Sequence, residues 1–269
     1  MLLAMDVGNT NIVLGLYRMS GEGTVEPEML TSWRVTTPRS HTADDFGLLL
    51  RSLFALRDME MAKVRGIVIA SVVPPLDSAL RQMCDVYFKV KPLFIEPGVR
   101  TGVPVLTDNP SEVGADRIVN CVAGYERFRG PVIIVDMGTA TKFDVVSKDG
   151  EFLGGAIAPG LGISAEALFS RAAKLPRVDI RKPVKVIGTG TVDNIQIGLY
   201  YGYIGLVDGI LERMLAEMGA ETKTIATGGL ARLIAGGSKY IGAVDEMLTM
   251  TGLRILYERN CDRNKRRSV

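Results

Sequence analysis

The chain has 269 residues, 47% of them hydrophobic and 23% charged, which excludes a disordered polymer and supplies apolar material for one large domain or two modest ones. The net charge of +2 is gathered at one end: five basic and two acidic residues lie between Glu258 and Val269, a stretch of net +3, which leaves a body of −1. Such a body lacks the electrostatic footprint of a nucleic-acid-binding protein, and three scattered cysteines (Cys84, Cys121, Cys261) argue against both a disulfide framework and a thiolate zinc site.

The single histidine, His41, rules out a histidine-rich metal centre and sits in a polar Arg39-Ser40-His41-Thr42 segment that reads as a helix lead-in rather than part of a Ser-His-Asp triad. The run Met1-Leu2-Leu3-Ala4-Met5 reaches a carboxylate at Asp6 before a signal-peptide core can form, and no apolar run approaches the ~18 residues of a membrane span. A cytoplasmic protein with neither membrane nor nucleic-acid partners is expected.

Strands are expected at Leu2 to Val7 and Ile12 to Tyr17, joined by a Gly-Asn-Thr-Asn turn, with a third at Thr31 to Thr36 after a Gly- and Glu-rich loop. Thr42 to Leu56 places Phe46, Leu49, Leu50, Leu53 and Phe54 at the spacing of an amphipathic helix. Val64 to Val73 is a β-branched run suited to a strand buried on both faces. A helix follows Pro74-Pro75 to about Phe88, and Pro92 to Glu96 forms a short strand. The second half repeats this order: a helix from about Pro110 to Phe128, strands at Val132 to Asp136, Lys142 to Val146 and Phe152 to Ile157, helices at Ile163 to Ala173 and Thr191 to Met218, and a strand at Thr224 to Ala226 before a further helix. Three strands followed by alternating helix and strand, twice over, indicate an α/β fold built from two similar halves.

The clearest sign of duplication is local. Ala4-Met5-Asp6-Val7-Gly8-Asn9-Thr10-Asn11 aligns with Ile134-Val135-Asp136-Met137-Gly138-Thr139-Ala140-Thr141; in each, an apolar strand delivers an Asp, passes one apolar residue and turns on Gly. Asp and Gly are also ordinary turn residues. Reuse of the same carboxylate 130 positions later is not required by a turn. Gly lets the backbone approach a ligand, successive amides can face anionic oxygens, and the Thr10 and Thr139 hydroxyls add donors. A carboxylate beside such a phosphate cradle suits the magnesium that travels with a triphosphate. Two such loops on duplicated halves resemble the superfamily of acetate and sugar kinases, actin and heat-shock chaperones, with Ala226-Thr227-Gly228-Gly229-Leu230-Ala231 similar to its adenosine motif, although a Gly-Gly turn alone is simply a loop. The resemblance implies two ribonuclease H-like (actin-like ATPase) domains, divided as 1–115 and 116–257, with a nucleotide cleft between them and a basic tail over 258–269.

Asp108-Asn109-Pro110-Ser111-Glu112-Val113-Gly114-Ala115-Asp116-Arg117 is the most informative stretch. Asn109, Pro110 and Glu112 fit N-cap, N1 and N3 of a helix. Gly114 within that helix costs roughly 1 kcal/mol against Ala, which points to close contact with something at that position. Asp116 and Arg117 can serve as a dipole partner and surface ion pair, or as part of a site.

With Asp-x-Gly-Asn-Thr near the start, Asn-Pro-x-Glu-Val-Gly-Ala-Asp-Arg in the middle, Asp-x-Gly-Thr-Ala-Thr-x-Phe-Asp and the Gly154–Gly160 stretch Gly-Gly-Ala-Ile-x-Pro-Gly, the chain resembles the type III pantothenate kinases. Ser32-Trp33-Arg34, Ala70 to Pro74, Thr191 and Gly198 to Gly202 extend the match, which covers about Met1 to Tyr257. The resemblance implies ATP-dependent phosphorylation of the primary hydroxyl of pantothenate to 4'-phosphopantothenate, the first step of coenzyme A biosynthesis, by a homodimer. It also implies that Asp6, Val7, Gly8, Asn9, Thr10, Asn11, Ile12 and Val13 contact ATP together with Thr139, and that Gly114, Ala115, Asp116, Arg117 and Thr191 bind pantothenate, Asp116 being the proton acceptor. Asp136 would coordinate a monovalent cation (K+ or NH4+) and Asp6 the magnesium, directly or through water. Where the family usually has a substrate-contacting Tyr, this chain has Thr107. Thr191 is also a natural helix N-cap, and Lys142 either adds positive charge beside the second loop or is an exposed strand residue. Another small-molecule kinase of the superfamily and a non-catalytic transcription accessory factor of the same family are the competing readings. Retention of Asp6, Asp116 and Asp136 argues against the latter.

Overall fold

The structure is a computed structural model that describes residues 1–19, 27–172 and 174–266, with side chains described through Cys261. The loop expected before the third strand, the end of the helix expected to reach Ala173, and the part of the tail beyond Arg266 fall outside the described residues. Among the described residues no helix is long and apolar enough to cross a membrane.

Two compact units are present. The first contains Met1–Gly102, Ser111–Ala123 and the chain from Thr249 onward; the second contains Val103–Pro110 and Gly124–Leu248. The expected division at Ala115/Asp116 is simpler than this grouping, in which the chain passes between units four times and Asp116 groups with the first.

In the first unit, β1 (Leu2–Val7), β2 (Asn11–Arg18) and β3 (Glu28–Thr36) form an antiparallel meander, and β4 (Gly66–Ser71) and β5 (Leu93–Phe94) add in parallel on the other side of β1, giving the order β3-β2-β1-β4-β5. Strand alternation sends Leu3, Met5, Val7, Ile12, Leu14 and Leu16 to one face. There they pack with Phe46, Leu50 and Phe54 of α1 (Ala43–Ala55) and Leu76, Leu80 and Met83 of α2 (Pro74–Met83). Helix α1 begins where expected because Thr42 and Asp45 form a reciprocal capping box. Helix α2 starts on Pro74-Pro75 and runs on through a π-helical turn at Cys84–Phe88. The opposite face of the sheet is covered by a helix that the sequence pattern did not suggest, α7 (Leu248–Arg266). Its Met250 sulfur lies 3.0 Å from where a Cβ on Gly15 would be, and the Tyr257 ring sits over Gly66.

The second unit repeats the plan. Strands β6 (Val132–Met137), β7 (Ala140–Val146) and β8 (Phe152–Pro159) form the meander, and β9 (Lys223–Thr227) and β10 (Ala243–Val244) add in parallel, giving β10-β9-β6-β7-β8. Ile133, Val135, Met137, Phe143 and Val145 pack with Leu161 of α4 (Leu161–Arg171) and on α5 (Thr191–Met218) and α6 (Ala231–Ala235). Tyr200, Tyr203, Ile204, Val207 and Leu211 form the inward stripe of α5 at helical spacing. The same strand order and the same pattern of parallel and antiparallel pairs establish the duplication inferred from sequence.

The stretch before α3 (Ala115–Phe128) corrects one expectation. Pro110–Glu112 is a separate 3-10 turn, and α3 starts only at Ala115. Gly114 therefore precedes the helix, its carbonyl accepting the first helical hydrogen bond from the Ile118 N–H at 3.3 Å. The helix-interior penalty assigned to it does not apply.

Candidate functional site

The first hairpin loop is set by β1 and β2. In register, Asp6 lies opposite Val13 on one side and Ala70 of β4 on the other, and Val7 opposite Ile12. Gly8 N–H donates to the Asn11 carbonyl at 3.1 Å. Thr37, a residue that motif reasoning did not pick out, fastens the loop from outside: its hydroxyl donates to the Gly8 carbonyl at 2.5 Å, and its N–H to the Thr10 carbonyl at 3.0 Å. The signal was present in the sheet order, because Thr36 pairs with Asn11. Within Asp6–Val13, Val7 and Ile12 are buried, so any ligand contact from them is through backbone, whereas Asn9 and Thr10 are exposed at the tip.

The acceptor segment packs beside this loop. Val72, just past β4, donates its N–H to the Val7 carbonyl at 3.0 Å, and its Cγ1 lies 3.6 Å from where a Cβ on Gly114 would stand. The Asp116 carboxylate fills the remaining space at Gly114: Oδ1 would be 2.7 Å from that Cβ, and it accepts the Arg117 N–H at 2.9 Å. Gly114 is thus the residue that lets a half-buried carboxylate fold back over the start of α3. Asp6, Val72, Gly114 and Asp116 are all in the first unit.

The second hairpin is one residue shorter. Met137 pairs with Thr141, so Gly138, Thr139 and Ala140 turn the chain, and Gly138 N–H donates to the Ala140 carbonyl at 3.1 Å. Two glycines crowd this turn. A Cβ on Gly160 would lie 2.5 Å from the Gly138 carbonyl oxygen, and Gly160 N–H donates to the Thr139 carbonyl at 3.0 Å. Gly228, at φ +95°, would place a Cβ 2.6 Å from the Met137 carbonyl oxygen. The Gly154–Gly160 motif and the 226–231 motif therefore both converge on the second hairpin, and the latter is a strand end turning into α6 as expected.

Opposite Asp136 in register stands Lys142, whose Nζ is 2.7 Å from Asp136 Oδ2, with 16% and 15% of the two side chains exposed. Lys142 is thus not the exposed strand residue that one reading allowed. Its neighbour Thr141 points the other way, into the core, where its hydroxyl is hydrogen-bonded to that of Tyr203. Lys142 Nζ already holds Asp136 Oδ2, so a monovalent cation at Asp136 would have to share the carboxylate with an ammonium that repels it. For magnesium, among the described residues no group of three or more His, Cys, Asp or Glu side chains is placed to hold a metal ion. An ion that arrives with a triphosphate needs only one or two protein carboxylates, and Asp6 at the end of β1 is of the right type.

Thr107 and Thr191 belong to the second unit, whereas Gly114–Arg117 group with the first. Thr107 has its methyl 3.8 Å from where a Cβ on Gly154 would be and its buried hydroxyl without a hydrogen-bond partner. Thr191 is the first helical residue of α5 rather than its cap; Gly190 is the N-cap, its carbonyl accepting from Asn194 N–H at 2.9 Å. Thr191 lines a cavity of about 400 Å³ with Leu168, Leu175, Asn194, Ile195 and Leu199.

Comparison with known proteins bears on the fold and the family. Among solved structures, a Campylobacter jejuni protein named for the Baf family of transcriptional activators aligns over 97% of this chain and 99% of its own with a TM-score of 0.58 at 18% identity. The activator of the 2-hydroxyisocaproyl-CoA dehydratase from Clostridium difficile, solved with ADPNP, aligns over 100% and 97% with a TM-score of 0.54 at 11% identity. These likenesses give the fold alone, that of the actin-like ATPases and sugar kinases, consistent with two ribonuclease H-like domains. Sequence relatives say more. Type III pantothenate kinases of Acidobacterium capsulatum and Koribacter versatilis are 59% and 58% identical, over 96% and 99% of this chain and 94% and 98% of their own lengths. That of Myxococcus xanthus is 56% identical over 97% of this chain and 99% of its own. The family model described as type III pantothenate kinase matches residues 2–213, a span that includes both hairpins, the Gly114–Arg117 turn and the start of α5. With identity this high over nearly full length, the chain belongs to the type III pantothenate kinase family.

Proposed function

We propose that this protein transfers the γ-phosphoryl group of ATP to the primary hydroxyl of pantothenate, releasing ADP and 4'-phosphopantothenate. The observation that carries the reading is the convergence, through Val72, of the Asp116 turn and the Asp6 loop at one end of the first sheet. A phosphoryl donor loop and an acceptor carboxylate are the two parts such a transfer needs.

Phosphoryl transfer passes through a loose transition state, so positioning and charge neutralisation do most of the work. Asp116 would accept the hydrogen bond of the pantothenate hydroxyl, orient its oxygen in line, and take the proton as the new P–O bond forms. Gly114 and Ala115 would offer backbone to the substrate, and Arg117 a forked donor to its carboxylate or hydroxyl. Asp6–Val13 would present amides and the Asn9 and Thr10 side chains to the nucleotide; the family resemblance gives Thr139 a phosphate contact and Thr191 a pantothenate contact. Magnesium held at Asp6 supplies positive charge to the phosphates when bound. Thr107, smaller than the family's usual Tyr and with its hydroxyl buried, would not reproduce the substrate contact of that Tyr.

A cytoplasmic homodimer belongs to the same reading. Ile157, Ile163 and Val192 are exposed apolar side chains at 63%, 45% and 44%, the kind of surface that a subunit contact covers. Name likeness to a transcriptional activator at 18% identity carries only the fold.

The test is Asp116→Asn with ATP, magnesium and pantothenate, read by coupled ADP release. Turnover is expected to fall by about 10²–10⁴-fold with pantothenate binding retained; unchanged turnover refutes the base assignment. A parallel screen of sugars and other alcohols as acceptors separates pantothenate from the wider superfamily.

A further inference from the structure

The second hairpin contains its own cation. Lys142 lies opposite Asp136 across β6 and β7, and residues directly opposed in an antiparallel pair project from the same face. Their side chains meet at 2.7 Å in a largely enclosed position. On its other flank Lys142 faces Ile157 of β8, so of the residues directly across from it on the two neighbouring strands Asp136 alone is anionic. Register fixes the pairing: Thr141 on one side of Lys142 and Phe143 on the other are both fully buried, which leaves Lys142 no alternative face.

A potassium ion and a primary ammonium do the same electrostatic work at a carboxylate: each brings one positive charge. The ammonium is tethered, so it costs no binding from solution, and it adds N–H donors. A second monovalent cation brought to the same carboxylate would be repelled by the first at a few ångströms. We propose that Lys142 is a built-in replacement for the monovalent cation at Asp136, so that this kinase works without K+ or NH4+. The inference rests on the pantothenate kinase reading for its activity readout, and on geometry alone for its binding readout.

The experiment compares the full-length protein with Lys142→Ala and with Lys142→Met, which keeps the length of the stem. Pantothenate phosphorylation is measured with Mg-ATP in tetramethylammonium chloride and in KCl at equal ionic strength; thermal unfolding is followed in the same two salts. The unsubstituted protein should change by less than about twofold between salts, while the variants should fall by about 10²-fold in tetramethylammonium and recover at least tenfold in KCl. Melting temperature should rise specifically with KCl in the variants and not in the unsubstituted protein. Strong activation of the unsubstituted protein by KCl, or variants that show no KCl-specific response in either readout, overturns the proposal. A protein that phosphorylates no pantothenate in any salt sinks the functional reading instead, and the melting data still decide the cation question.

Discussion

The two hairpins leave their first strands alike and part company at the turn. In the first, four residues separate Val7 from Ile12, and Asp6 faces the apolar Val13; in the second, three residues separate Met137 from Thr141, and Asp136 faces Lys142. Their supports differ in part. Both loops are tied by the N–H that follows the third strand, Thr37 to the Thr10 carbonyl and Gly160 to the Thr139 carbonyl; the first adds the Thr37 hydroxyl on the Gly8 carbonyl, and the second is crowded by Gly160 and Gly228. A shared backbone tie is thus supplemented by a side-chain hydroxyl in one loop and by glycine packing in the other. The first loop sets an apolar side chain directly across the ladder from its carboxylate, and the second sets a fixed positive charge there.

The sharpest way to break this comparison is to make the first hairpin like the second. Val13→Lys would set an ammonium opposite Asp6, where it would compete with magnesium, and kcat/KM for ATP should fall by at least about 10²-fold; steady-state kinetics across a magnesium titration measures it. The reverse change removes the charge pair of the second hairpin. Asp136→Ala leaves Lys142 largely enclosed without its carboxylate, and should cost about 3 kcal/mol of stability, near the low end for buried pairs because the site is partly open. Adding Lys142→Met should return most of that loss in urea unfolding, since removing both partners of such a pair is often close to neutral. A smaller effect separates the glycine packing of the two loops. Gly160→Ala forces a methyl against the Gly138 carbonyl and should lower turnover roughly tenfold by displacing the loop. In Gly8→Ala the new methyl meets the Asn11 carbonyl at 3.1 Å, a milder clash, so the loss of stability in urea should be smaller than in Gly160→Ala. Equal losses of stability in the two variants would mean that glycine packing does not set the loops apart.

Much of this was legible in the chain because the relevant signals are short-range. Leu2–Val7 and Val132–Met137 are apolar strands ended by a carboxylate, and Thr42 with Asp45 marks the start of α1 by its capping chemistry. The 28-residue α5 was bounded correctly by its apolar pattern. What escaped depends on partners distant in sequence. The ungapped match of the two loops places Ile12 beside Lys142, but the ladder register pairs Lys142 with Val13 as its counterpart, because the second turn is one residue shorter. Gly114 was read as an expensive helix residue, since nothing nearby in sequence says that the Asp116 side chain folds back into the space it leaves. Helix α7 was hidden by its Tyr, Arg and Glu content: its buried stripe of Leu253, Leu256 and Met250 is interrupted by charged side chains that face outward or pair, as Arg254 does with Glu258 at 2.8 Å. Strand β10 is only two residues long, too short for any periodicity.

Helix α7 follows the whole second unit in the chain yet supplies one wall of the first, with Gly252 set against Val119 and Tyr257 over Gly66. During synthesis the second unit is therefore complete before the first can close, although the first was begun earlier. Until α7 emerges, Gly15 and Gly66 lack the Met250 and Tyr257 side chains that pack over them. Translation order and the order of structural completion run in opposite senses along this molecule.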